Sequence, residues 1–449
     1  MSKQKIQLSD HFDDSRLIRF VLPCIGTMLF TSIYGIVDGL CVSNFVGKTA
    51  FAAVNLIMPV PMLVGTVGFM LGTGGSAIVG ITLGEGDNAK ADRYFSLFMS
   101  TALIAGILLS VLGMLLLRPV AMMLGAEGEM LDYALRYGRV LMLSLPTFIL
   151  QNMFQSFFVT AEKPHLGFYF TVGAGCTNMV LDVLLVGILH WSVEGAAIAT
   201  MLSQVVGGLL PVFYFLNRNN TSLLHLCRPQ FEGGVLLKAC VNGSSELMTN
   251  LSMSLVNILY NYQLLRFAGE DGVAAYGVIM YASFLFVAVF VGYAVGSAPI
   301  VSFHYGARNH AEVHNLYRKS LRLIAVVAVT LTLASMFIIP CVARIFVGYD
   351  AELLALTSRA FRLYALSFLI MGFNVYASSF FTALGDGVTS ALISFLRTLA
   401  FQVIAILLLP LLLGIDGIWL AVTAAELAAL AVSAAMLLTK DKVFHYRKA

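Results

Sequence analysis

The chain has 449 residues, 59% of them hydrophobic and only 11% charged, with a mean hydropathy of +0.88 and a formal net charge of +3. So little polar surface cannot cover a soluble globule of this length, so the bilayer must serve as solvent. The basic residues fall in short loops and tails without interleaved aromatics, which excludes a nucleic-acid-binding face.

The first apolar run begins near Leu17, after Lys3, Lys5, Asp10, Asp13, Asp14 and Arg16. That flank is unlike a cleaved signal peptide, so the run is read as a retained helix. Stretches of ~20 residues or more, long enough to cross a bilayer, fall at residues 17–43, 51–79, 95–117, 134–160, 165–189 and 194–216. A second set follows at 240–267, 273–303, 319–340, 357–384, 388–413 and 416–439. The expectation is an all-α polytopic protein of about 12 spans, with an N-terminal lobe over 1–216, a polar linker over 217–239 and a C-terminal lobe over 240–449. Six scattered cysteines form no CxxC pair and read as small hydrophobes.

Both tails and the even-to-odd loops hold eighteen Lys and Arg, against eight on the opposite side, with Arg397 left inside a span. By the positive-inside rule both termini should be cytoplasmic, in a multi-pass cell-membrane protein.

The halves repeat one another. A shift of 222 residues places Phe45, Gly47, Gly74 and Gly84 on Phe267, Gly269, Gly296 and Gly306. One residue further, Gly125 falls on Gly348, Arg136 and Arg139 on Arg359 and Arg362, and Phe157 and Phe158 on Phe380 and Phe381. Six spans per copy is an even number, so both copies enter from the same side: a parallel repeat about an axis along the membrane normal, suited to alternating access.

Two carboxylates stand inside spans of the first half. Tyr34 and Asp38 are four apart, as are Asn178 and Asp182, so each carboxylate shares a helix face with a neutral oxygen-bearing side chain. By helical rise Asp38 lies ~12 Å and Asp182 ~8 Å from their span centres toward the outer surface, depths that allow one shared pocket. A carboxylate there is costly when charged and unpaired, which favours binding a proton or a metal cation. The plainer alternative is that Asp38 marks a helix end and that Asp182 ties two helices together, as amides and hydroxyls such as Asn178 and Thr200 often do.

With these residues in a duplicated six-helix frame, the chain resembles the multidrug and toxic compound extrusion (MATE) family, in its bacterial MepA-like and DinF-like branch. The resemblance is carried by Leu83-Gly84-Glu85-Gly86-Asp87, by Asn178-Met179-Val180-Leu181-Asp182, by the run Gly195 to Thr200, and by Tyr305-Gly306-Ala307-Arg308-Asn309. It implies a V-shaped pair of six-helix bundles that exports cationic amphiphiles in exchange for H+ or Na+, with no other cofactor and no metal beyond Na+ at the coupling cluster. It further implies that Asp38, Asn178, Asp182 and Thr200 bind the coupling ion, that Tyr34, Asn152 and Asn374 stand near it or the substrate cavity, and that Pro23 hinges the first helix. A proline there removes a helix hydrogen bond. A monomer in lipid is expected.

The second half departs from NorM-like relatives, with Asn374 and Met253 where those carry acids. Glu246 is expected near the cytoplasmic end of its helix, snorkelling to water. Arg397 and Glu426 each lie ~14 to 15 Å deep by helical rise and could meet as a buried ion pair. The glycine run Gly72 to Ala77 fits a dinucleotide fingerprint but lies inside an apolar span, where close helix packing explains it. His310 and His314 share a helix face without a third ligand, and no P-loop is present. The alternative to drug export is a lipid- or polysaccharide-carrier flippase, which should line its cavity with extra basic residues. A channel or an intramembrane enzyme is less favoured, since no paired catalytic motif is evident.

Overall fold

The computed structural model describes residues 6–45, 48–217, 219–348 and 350–447. In the first half the helices are α1 (Asp14–Phe45), α2 (Lys48–Ile57), α3 (Pro59–Gly84), α4 (Asn88–Met123), α5 (Gly128–Leu143), α6 (Leu145–Thr160), α7 (Pro164–Leu181) and α8 (Ser192–Leu216). The chain continues through α9 (Gly233–Gly306), α10 (His310–Val347), α11 (Ala351–Ala365), α12 (Phe368–Ala383), α13 (Gly387–Phe395), α14 (Phe401–Leu413), α15 (Ile415–Thr439) and the short α16 (Asp441–Phe444). π-helical turns extend α7 over Asp182–Ile188 and join α13 to α14 over Leu396–Ala400.

Among the described residues nine helices are long and apolar enough to cross a membrane, and up to eleven if each bent pair is one span. Helix α9 is counted once there, yet its 74 residues would run ~110 Å if straight, far beyond a ~30 Å hydrocarbon core. It breaks at Gly269, whose φ of 62° and ψ of −148° suit glycine alone, so α9 makes two crossings. That accounts for the about twelve apolar stretches. Two stretches that the sequence presents as single spans are bent: α5 meets α6 at 56°, and α11 meets α12 at 45°.

The helix bounds carry the repeat further than residue identity does. Helices α6 and α12, α7 and α13, and α8 and α15 all begin 223 residues apart. At the end of the bundle that holds both termini, equivalent glycines face one another across the halves. A Cβ on Gly84 would run into the Phe303 carbonyl, and one on Gly306 into the Ile81 carbonyl, the partners related by the same 222-residue shift. Likewise Gly74 lies against Ala239 and Gly243, while Gly296 lies against Val21 and Cys24. Helix α3 therefore packs backbone to backbone along α9, an approach that only small residues permit.

The buried apolar clusters divide the same way. One around Phe12, Val159, Ile300 and Phe380 draws on both halves. The clusters around Val54, Tyr137 and Val193 and around Tyr260, Phe361 and Trp419 each stay within one half, toward the opposite end. The halves are thus sealed at the end that carries the termini and separate away from it.

A segment ahead of α1 lies across that seal. Leu8 and Phe12 are fully buried. Leu8 N donates to Glu162 Oε1 of the first half at 2.8 Å, and Phe12 N donates to Glu312 Oε1 of the second at 3.0 Å. His11 Nδ1 lies 2.6 Å from Glu312 Oε2, and Lys319 Nζ donates to the Phe12 carbonyl at 2.7 Å.

Candidate functional site: two polar clusters and the cavity between the halves

In the first half, Asp182 opens the π-helical turn that extends α7 and is fully buried. Such a turn inserts a residue into the helical register, a device common at functional sites. One turn earlier Asn178 is 1% exposed; its Nδ2 lies 3.5 Å from Thr200 Oγ1, which itself donates to the Ala196 carbonyl at 3.0 Å. Asn178 Oδ1 is buried without a hydrogen-bond donor among the described residues. A buried lone pair of this kind costs free energy unless a donor or a cation meets it. Tyr34 joins from α1: Gly175, three residues before Asn178, lets the Phe30 and Tyr34 rings press against α7. The backbone of Asp38 belongs to α1, but its side chain lies outside what the structure describes. The donor set of carboxylate, amide and hydroxyl oxygens fits a proton or a hard cation such as Na+.

Two further residues assigned from the resemblance, Asn152 as a nearby polar group and Pro23 as a hinge, lie on α6 and α1. Asn152 is 4% exposed and donates to the Gly65 carbonyl at 3.3 Å, tying α6 to α3. Pro23 lies inside α1, which runs through it without interruption; the Thr27 hydroxyl donates to its carbonyl at 2.9 Å.

In the second half, Arg397 Nε lies 3.2 Å from Glu426 Oε1. Asn374 is fully buried and donates to Glu426 Oε2 at 2.7 Å and to the Glu426 carbonyl at 2.9 Å, while Ser433 donates to Asn374 Oδ1 at 2.9 Å. Asn374 therefore faces α15 and not the cavity, because its amide is spent on Glu426.

A cavity of about 100 Å³ lies between the halves, walled by Thr73, Ser76 and Ser156 from the first and by Glu246, Ser378 and Arg397 among others from the second. Glu246 corrects the sequence reading: instead of snorkelling to water at the helix end, it forms part of this wall. Helix α9 begins at Gly233 and not near residue 240, so Glu246 lies thirteen residues inside it, on a face turned to the cavity. Gly72 packs on Met153, Gly74 on Ala239 and Gly75 on Phe98, so the glycine run serves close packing. His314 Nδ1 lies 2.9 Å from the Tyr446 carbonyl, and no group of three metal-ligating side chains occurs among the described residues.

A duplicated frame of membrane-spanning helices around a polar central cavity is the architecture of a secondary transporter. The MatE family pattern matches residues 23–184 and again 247–408, and the chain belongs to that family of membrane transporters. It is accordingly a transporter and not an enzyme. It is 22% identical over 433 residues to the multidrug export protein MepA of Staphylococcus saprophyticus, covering 95% of this chain and 94% of that one. Among solved structures, it is similar to a MATE protein in complex with MaL6 (TM-score 0.91, 23% identity, 100% of both chains). It superposes equally well on the outward-facing conformation of a multidrug resistance MATE transporter of the MOP superfamily (TM-score 0.91, 23% identity, 100% of both chains). At these identities the likeness to solved structures establishes the fold.

Proposed function

We propose that this chain exports cationic, amphiphilic small molecules from the cytoplasm in exchange for H+ or Na+, and that the first-half cluster of Asp38, Asn178, Asp182 and Thr200 binds the coupling ion. The observation that carries the reading is a fully buried carboxylate at membrane depth, Asp182, one helical turn from the unmet oxygen of Asn178. Ionisable groups held inside a membrane mark ion pathways far more often than packing. The names of the MepA relatives support the drug-export part of the reading.

Lys and Arg enrichment supports cytoplasmic termini. On that orientation the glycine seam closes the cytoplasmic side and the separated ends open outward. Inward opening then requires the seam between α3 and α9 to part, with one half rocking on the other. A flippase reading gains little, since the cavity's one deep cation, Arg397, is already paired with Glu426.

The test is efflux of a fluorescent organic cation from proteoliposomes under an imposed proton or sodium gradient, for the native chain and for Asp182→Asn. Export driven by one gradient and lost in the variant names the ion and places coupling in the first half. Export unaffected by Asp182→Asn overturns the assignment of the coupling site.

A further inference from the structure

The cavity between the halves has a chemistry narrower than export of amphiphiles requires. Glu246 and Arg397 are the only charged residues in its described wall, and the wall contains no aromatic ring. Recognition of a cation by a π face is therefore not available in it.

Hydroxyls supply most of the wall's polar groups, set among apolar side chains such as Val291 and Val375, and many of their hydrogens are already committed. Thr73 donates to the Phe69 carbonyl, Ser76 to the Thr73 carbonyl, Thr249 to the Ser245 carbonyl and Ser379 to the Ala294 carbonyl, at 3.0, 3.1, 2.8 and 3.2 Å. Thr382 donates to Ser390 Oγ at 2.8 Å. A hydroxyl that donates backward into its own fold keeps its lone pairs for the cavity. With the Glu246 carboxylate, the wall is rich in acceptors.

The charges set a second limit. Glu426 is spent on Arg397 and held from behind by Asn374, so these two cancel. Glu246 remains, on the same wall as Arg397. With that pair neutral the site holds one net negative charge, which one positive charge on a ligand neutralises, and a second finds no counter-charge in the described wall.

We propose that this cavity selects monovalent cations bearing several N–H donors, guanidinium or primary ammonium groups, with Glu246 as the residue that reads their charge. The proposal rests on the exporter reading and deepens it. A quaternary ammonium ion of similar size has no N–H to offer and finds no aromatic ring in exchange, so it should bind less well. A dication should bind less well for the second reason.

The test is equilibrium binding of radiolabelled methylguanidinium to the full-length protein in lipid nanodiscs, with tetramethylammonium and agmatine as competitors. The expected order is methylguanidinium first, with tetramethylammonium and the agmatine dication at least about tenfold weaker, a difference of ~1.4 kcal/mol. Glu246→Gln should weaken methylguanidinium binding by a similar factor, and Glu246→Asp should retain part of it, with thermal unfolding verifying that both variants fold. Tetramethylammonium competing as well as methylguanidinium overturns the proposal. So does binding that is unchanged in Glu246→Gln, or absent at millimolar probe. Efflux of a fluorescent cation that persists while methylguanidinium fails to bind rejects this selectivity and leaves the exporter reading standing; loss of gradient-driven efflux from the native chain rejects the exporter reading itself.

Discussion

The two halves agree where they touch and disagree where they carry charge. Along the seam, Gly84 and Gly306 meet Phe303 and Ile81 in equivalent ways. Inside each half the same alignment sets Asp38 against Tyr260, Asp182 against Ala405 and Asn178 against Phe401. In the reverse direction Glu246 falls on Cys24, Arg397 on Ala174 and Glu426 on Ser203. Duplication explains the frame, and divergence after it placed a buried carboxylate, Asp182, in one half and a compensated ion pair in the other. Closing the seam is a symmetric task, whereas binding an ion and binding a cargo are separate tasks that can be divided between halves.

The largest expected effect breaks that division at its centre. Asp182→Asn should lower gradient-driven efflux by at least about tenfold, while Glu426→Gln should leave the ion dependence of transport unchanged. Comparing the two variants under both gradients tests whether coupling belongs to the first half alone.

Next in size is stability. Glu426→Ala leaves Arg397 buried without its partner and should cost ~3–5 kcal/mol, whereas Ser203→Ala at the equivalent position should cost ~1 kcal/mol or less. Joint replacement, Arg397→Met with Glu426→Gln, should recover much of the loss. Unfolding midpoints in detergent give all three, and equal midpoints for Glu426→Ala and Ser203→Ala would contradict the ion pair's structural role.

On the seam the halves should behave alike. Gly84→Ala and Gly306→Ala each push a methyl into the partner helix's backbone, for ~1–3 kcal/mol, and the two costs should match within ~0.5 kcal/mol. Unequal costs would mean that the closed end is less symmetric than its contacts.

The smallest effect lies at the loop before α13. Burial raises the Asp386 carboxyl, but Lys440, 2.8 Å away, and hydrogen bonds from Thr389 outweigh it and hold the pKa below the ordinary value. A depressed carboxylate stabilises the fold above its unfolded pKa, and that contribution is lost as pH falls through the folded value. Lys440→Ala should therefore lower the melting point slightly at neutral pH, by the equivalent of less than ~1 kcal/mol, with the deficit vanishing in acid. The first half has Lys163 and Asn217 at these positions, so the pairing of Asp386 with Lys440 has no counterpart there.

Much of this was legible in the sequence because hydropathy reports crossing and spacing reports a shared face. The apolar stretches, the repeat and the Asn178 and Asp182 spacing all follow from those two properties. Facing is what they omit. Glu246 lies thirteen residues into α9 and lines the cavity, and Asn374 is met by the carboxylate of Glu426 on a different helix. Breaks were partly hidden as well: Gly269 falls between two apolar runs and can be anticipated, but the 56° bend between α5 and α6 interrupts a single long stretch and is marked only by Ser144 and Pro146. The π-helical turn at Asp182 leaves no periodic mark in seven residues. The segment from Leu8 to Phe12 reads as a charged tail, since its partners Glu162 and Glu312 are distant in the chain.

That last distance bears on how the protein is made. Phe12 leaves the ribosome 300 residues ahead of Glu312. At ~5–20 residues per second, roughly 15–60 s pass before its docking site exists. During that interval the amino-terminal segment is exposed to chaperones, proteases and any fused tag, and the newborn helices of the first half enter the membrane without the strap that later ties them to the second.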